Sequence, residues 1–132
     1  MSLINFSEGF FIAVHSLILL EKHKPERLSA KFLAQELHSS QAHLSKVFQK
    51  LTKAGVVTSV RGPAGGFVLN KDSEEITFLD IYEIVEGRVN ISGCVFGKSY
   101  CAFTTCIFGN ELNKLTKEVY DKLNSTKISD FR

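Results

Sequence analysis

Around Gly55 the hydrophobic period of the chain switches from helical to strand-like, and that switch limits what the chain can fold into. Upstream, Leu44, Val47, Phe48 and Leu51 recur at three- and four-residue spacing, which predicts a helix from about Gln41 to Ala54. Gly55 suits the position just past a helix end. Downstream, Val56–Val60 and Phe67–Asn70 are β-prone runs on either side of Arg61–Gly66, which reads RGPAGG. Gly and Pro at that density turn a chain sharply, so a β-hairpin comes directly after the helix. Before the helix, Phe32, Leu33 and Leu37 mark another amphipathic helix, capped by Ser29 and ended at His38-Ser39-Ser40. Two amphipathic helices joined by about three residues form a helix-turn-helix, and the hairpin behind them reads as a wing.

The remaining segments read as helices and a loop. Ser7 caps a first helix running to about Lys22, apolar almost all the way round, with Pro25 closing the segment. Such a helix is buried on more than one side, here by its own core and by a second subunit. Thr77 caps a helix with Asp80 at its third position, and Gly87 ends it. Phe108, Leu112, Leu115, Val119 and Leu123 predict a long last helix with one apolar stripe, which most simply pairs with another helix. The fold class is therefore mainly α with a small β-hairpin: a winged helix-turn-helix followed by a long C-terminal dimerisation helix. Residues 1–75 read as the DNA-binding domain, with the first helix also at the dimer interface. Residues 76–132 read as a linking helix, a cysteine loop and the dimerisation helix. No internal repeat or low-complexity segment is evident.

Charge and cysteine content sharpen this reading. The formal net charge over 132 residues is only +2, but residues 1–71 carry nine Lys/Arg against four Asp/Glu, and residues 72–132 seven against ten. The winged half is thus basic, which suits an anionic partner. In a winged helix-turn-helix the second helix of the motif enters the major groove. Its outward residues Ser40, Gln41, Ala42, His43 and Lys46 would meet DNA, with Ser, Gln and His able to donate or accept at base edges. Ser59 and Arg61 lie on the wing, where an Arg suits a narrow minor groove. Lys31, Lys50, Lys53 and Lys71 are further candidates for phosphate. The apolar stretch Gly9–Leu20 is too short for a membrane span and lacks the flanks of a signal peptide, so the chain reads as cytoplasmic and without membrane contact. No paired carboxylates, nucleophile–base pair or cofactor loop points to an enzyme.

Three cysteines, Cys94, Cys101 and Cys106, crowd into thirteen residues as C-x6-C-x4-C. An odd, clustered set argues against a disulfide framework and for thiolate chemistry. Three thiolates with one acid or His could hold zinc. Bare thiols could switch by oxidation, for example through a Cys101–Cys106 disulfide.

At this point the chain resembles a known family. The run Leu44 to Leu69, LSKVFQKLTKAGVVTSVRGPAGGFVL, looks like the winged-helix signature of the IscR/NsrR family of bacterial iron–sulfur transcription regulators. The Ile76–Gly87 segment, the late cysteine cluster and the closing Ile128-Ser129-Asp130-Phe131 match as well. The resemblance covers nearly the whole chain. It implies a homodimer on a pseudo-palindromic double-stranded DNA operator, acting as a repressor under control of an iron–sulfur cluster (4Fe–4S or 2Fe–2S). It places DNA contacts on Ser40, Ala42, His43, Lys46 and Arg61, and cluster ligation on Cys94, Cys101 and Cys106. Relatives of the IscR kind carry a His three residues after the last cysteine, where this chain has Gly109. Relatives of the nitric-oxide-sensing NsrR kind use an acid near the start of the first helix, supplied by the partner subunit, and Glu8 matches that position. His15, seven residues further along, is the reserve candidate. The cluster reading makes nitric oxide or redox status the signal. The alternative is a metal-free winged-helix regulator switched by thiol oxidation.

Overall fold

The computed structural model describes residues 2–132. Helices α1 (Glu8–Lys22), α2 (Ala30–Leu37) and α3 (Gln41–Lys53) come first, followed by strands β1 (Val57–Val60) and β2 (Gly66–Leu69). A 3-10 turn at Ser73–Glu75 leads into α4 (Phe78–Glu86), then α5 (Glu111–Ser125) and a closing 3-10 turn at Ile128–Phe131. The mostly helical chain with one antiparallel hairpin is the expected winged helix-turn-helix.

Local chemistry sets the helix starts. Ser7, Ser29 and Ser40 each turn their hydroxyl oxygen to an otherwise unpaired N–H of the first turn, those of Phe10, Phe32 and His43 at 3.0–3.1 Å. Thr77 and Asp80 complete a reciprocal capping box on α4. Such caps contribute about 1 kcal/mol each.

The core forms around α1. Ile12, Ala13, Ser16 and Leu17 are wholly buried. Leu33 of α2, Leu44, Phe48 and Leu51 of α3, Val57 of β1, and Ile81 of α4 fill the space beside them. The chain end returns to this core: Ile128 is wholly buried, and its N–H donates to the Ile76 carbonyl at 3.0 Å. Phe78 N–H likewise donates to the Thr126 carbonyl at 2.8 Å, so residues 88–125 form an excursion whose base is stitched shut. Helices α1 and α4 approach each other closely. A Cβ on Gly9 would lie 3.1 Å from Val85 Cγ1, and Ser7 donates a hydrogen bond to the Glu86 carboxylate.

The hairpin pairs Val57 with Leu69 and Val60 with Gly66. Leu28 adds a third rung, exchanging both backbone hydrogen bonds with Phe67 at 2.8 and 3.1 Å. Gly66 is required at that rung, because a Cβ would sit 2.7 Å from the Leu28 carbonyl oxygen. Gly65 is equally confined, 2.3 Å from the Val60 oxygen.

The last helix differs from the sequence expectation. Phe108 does not join the α5 stripe, because Asn110 adopts the left-handed conformation and the helix begins after it. No residue of α5 is buried, and Leu115 is 54% exposed.

Replacing Gly66 with Ala should force the wing off Leu28. The expected cost is about 1–3 kcal/mol, as for other overpacked sites. Urea unfolding of the variant checks this. An unchanged midpoint would mean the Leu28–Phe67 rung does not hold the wing.

Candidate functional site

The helix-turn-helix presents one continuous polar surface. Ser40, Gln41, Ala42 and Lys46 are exposed, and His43 is half-buried. Ser40 accepts the His43 N–H, so its oxygen is occupied while its own O–H stays free to donate. Ser59 is exposed on β1, and Arg61 lies at the exposed hairpin tip. A furrow between α3 and the wing is lined by Ser45, Gln49, Thr52, Lys53 and Ser59 over a floor of Phe48 and Phe67. Ser45, Gln49 and Thr52 were not singled out from the sequence. The signal was their four- and three-residue spacing on the polar side of α3, opposite Leu44 and Val47.

Lys50 does something other than wait for phosphate. Its ammonium donates to the Val85 carbonyl at 2.9 Å. Val85 lies in the last turn of α4, where carbonyls have no helical partner and a cation is favoured. Lys50 therefore ties the last turn of α3 to the end of α4, next to the start of the cysteine loop.

The loop between α4 and α5 holds all three cysteines exposed and unbonded to one another. Cys94 and Cys106 each open a tight turn. Gly97 N–H donates to the Cys94 carbonyl at 2.9 Å, and Gly109 N–H to the Cys106 carbonyl at 3.0 Å. Phe108 N–H also donates to Cys106 Sγ at 3.4 Å. Backbone N–H groups of Phe96 and Lys98, with a smaller contribution from Gly97, hold the Cys94 thiol below its ordinary value. These turns reveal a pattern that the sequence reading missed: Cys94–Gly97 is CVFG and Cys106–Gly109 is CIFG, a short internal repeat.

Cys94 and Cys106 line one small cavity, together with Gly93, Val95, Phe108 and Leu112. That lining includes neither Cys101 nor Glu8. Glu8 is exposed in the first turn of α1. His15 lies exposed on the same outer stripe, its ring 4.2 Å from that of Phe11 and its Nδ1 2.8 Å from the Phe11 carbonyl. Among the described residues, no three Cys, His, Asp or Glu side chains are close enough to hold a metal ion. In kind, however, the donors suit an iron–sulfur cluster or another thiophilic metal: two thiols on one cavity, each facing a backbone N–H of its own turn, and a third nearby in sequence.

The profile of the Rrf2 family, described as an iron-dependent transcriptional regulator, matches residues 6–132. The chain belongs to the Rrf2 family. It is 32% identical to the HTH-type transcriptional regulator IscR of Cereibacter sphaeroides over 90% of this chain and 79% of that one. The structure of CymR, the global cysteine regulator of B. subtilis, superposes with a TM-score of 0.78 at 28% identity, covering 97% of this chain and 95% of that one. T. potens IscR gives a TM-score of 0.76 at 25% identity, with 96% and 85% covered. These Rrf2 relatives are transcription regulators rather than enzymes, and the present chain is a helix-turn-helix transcription regulator of the same family. No helix among the described residues is long and apolar enough to cross a membrane. The likeness extends to both IscR and CymR, so it does not single out the nitric-oxide-sensing branch.

The geometry at Cys94 and at Lys50 can be tested directly. A lowered Cys94 pKa means more thiolate at a given pH below the ordinary range. Iodoacetamide labelling of Cys94 in the metal-free folded chain should therefore reach half its maximal rate at lower pH than in the urea-unfolded chain, read by peptide mass spectrometry. Coincident profiles would show that the N–H groups do not act on the sulfur. Replacing Lys50 with Met should lower stability by about 1.5–3 kcal/mol, the usual worth of a hydrogen bond from a charged group. It should leave the salt dependence of DNA binding unaltered. A reduced salt slope would instead place Lys50 on phosphate.

Proposed function

We propose that this Rrf2 regulator is a homodimeric repressor whose affinity for a double-stranded operator is set by an iron–sulfur cluster, 4Fe–4S or 2Fe–2S, on Cys94, Cys101 and Cys106. The observation that carries the reading is the thiol-bearing excursion rooted at α4, whose last turn is bonded to α3 through Lys50 and Val85. On this reading residues 1–75 bind DNA, and residues 76–132 sense the signal and dimerise.

Each group then has a task. Gln41, Ala42, His43 and Lys46 face the major groove from α3. Ser40 donates its hydroxyl proton to a phosphate at the helix N-terminus. Ser59 and Arg61 carry the wing against the neighbouring groove or backbone. Glu8 of the second copy supplies an oxygen ligand, consistent with its exposure in the first turn of α1 and with Gly109 in place of a His. The exposed apolar residues of α5 and the loop, Leu115, Phe96 and Ile107 among them, are covered by that second copy. When bound, the cluster supplies redox-active iron open to attack by small molecules such as nitric oxide. Release of the cysteines frees the loop. The end of α4 then shifts, and the Lys50 anchor re-aims α3.

A second reading has its own support. The cysteines are exposed and free, and a structural neighbour, Staphylococcus aureus CymR, has been solved in an oxidized form. Thiol oxidation alone would then move the loop.

Anaerobic purification separates the two. The cluster reading expects brown protein with iron and sulfide, bleached by nitric oxide with loss of DNA binding. Colourless, iron-free protein after anaerobic reconstitution, with DNA binding that tracks oxidant, would establish the thiol switch instead. For the DNA surface, replacing Arg61 or Lys46 with Ala should weaken binding to duplex DNA and reduce the slope of log K against log salt by about 0.9 for each phosphate no longer neutralised. Fluorescence anisotropy across a salt series measures this, and unchanged binding in both variants would refute the interface.

A further inference from the structure

All three cysteines begin the same pattern, Cys-x-Phe, but only two complete it. Cys94 reads CVFG, Cys106 reads CIFG, and Cys101 reads CAFT. The fourth position decides the local backbone. Gly97 and Gly109 take φ of +71° and +58°, the left-handed region that Gly enters freely and a β-branched residue resists. With Gly there, the chain closes a turn and aims the N–H of the Phe at the sulfur. Thr104 stands at the fourth position of the Cys101 pattern, where the chain runs through bends and closes no such turn.

The two complete turns also meet in space. The Phe96 and Phe108 rings lie 5.8 Å apart at 32°, and Cys94 and Cys106 line the same cavity, whose lining omits Cys101. The middle cysteine thus lies on the least constrained part of the loop, between two turns that pack on each other.

We propose that the paired turns make Cys94 and Cys106 a preformed two-thiolate clamp for a thiophilic metal centre, and that Cys101 is the detachable ligand through which the centre is opened. The inference rests on the metal reading of the loop but not on the centre being an iron–sulfur cluster. Two cysteines already held on one cavity by closed turns lose less freedom when metal binds than Cys101, which must give up the freedom of its segment. The clamp grips first and releases last. A signal that displaces one ligand acts at Cys101 and leaves the metal attached. The missing glycine is then a built-in weakness that makes the site responsive.

Co²⁺ titration of the full-length metal-free chain tests this, read by the thiolate-to-cobalt absorption. Serine in place of any of these exposed cysteines should not threaten the fold. Cys101→Ser should lose less than about tenfold in Co²⁺ affinity, while Cys94→Ser and Cys106→Ser should each lose about a hundredfold, the upper range for disturbing a metal site's supports. Thr104→Gly should give Cys101 the turn its neighbours have and slow Co²⁺ loss to a chelator several-fold. Equal losses in the three serine variants, the largest loss in Cys101→Ser, or no Co²⁺ binding by the parent chain would each overturn the clamp. Reconstitution with iron and sulfide separates the two proposals. A parent chain that takes Co²⁺ with the expected ranking but assembles no cluster retains the clamp and abandons the cluster.

Discussion

The burial of α1 is the constraint on which the other elements depend. Its inner residues touch α2, α3, α4, the wing and the closing turn, and Ile12, Ala13 and Leu17 have no exposed surface. A fully buried aliphatic side chain contributes about 1.5–3 kcal/mol relative to exposure. No neighbour of α1 can therefore move far without uncovering it. The helix-turn-helix and the root of the cysteine loop thus share one support. Motions that cost little must be rigid shifts of helices against α1 rather than separation from it.

That restriction gives meaning to the polar contacts at the end of α4. Ser7 reaches Glu86, Lys50 reaches the Val85 carbonyl, and Gly9 lets the two helices approach at Val85. Three elements converge on the residues immediately before the loop. Coupling between a sensing site and a binding site is commonly worth about 1–3 kcal/mol. One charged hydrogen bond broken or re-aimed is of that size. No large rearrangement is needed for the loop to bias the angle of α3. The bond from Lys50 to the Val85 carbonyl joins α3 to the end of α4 directly.

The sequence made the fold legible wherever structure is decided locally. The caps at Ser7, Ser29 and Thr77, the stop at Gly55 and the turn of RGPAGG stand where the residue chemistry places them. It was less informative wherever a distant residue decides. Phe108 fits the α5 stripe by spacing, but its turn and its packing on Phe96 hold it outside the helix. Lys50 looks like one more surface cation, and its carbonyl partner lies 35 residues away. Ile128 sits in a short polar tail, and only the pairing with Ile76 shows why it is buried. At the site, the polar face of α3 was readable from periodicity, but the furrow it forms with the wing was not. The cysteines were conspicuous. Their unequal settings depend on the residue three positions after each one, Gly97, Thr104 or Gly109, a signal too short for any periodic pattern.

The charge distribution bears on how such a chain meets its partner. The acidic excess lies in residues 72–87, on α4 and the turn before it, with six Asp/Glu and no Lys/Arg, while the basic residues gather on the half that carries α3 and the wing. A neutral average would steer nothing, but a polarised chain approaches a polyanion with one side forward. The excursion itself, residues 88–125, carries five Lys/Arg against three Asp/Glu and adds no repulsion from phosphate. In a dimer, two excursions meeting through their apolar residues would leave both basic surfaces pointing away from the junction. That is the arrangement a two-fold operator requires, with half-sites about one helical turn apart. The weak net charge is therefore the sum of a basic winged half and an acidic stretch around α4.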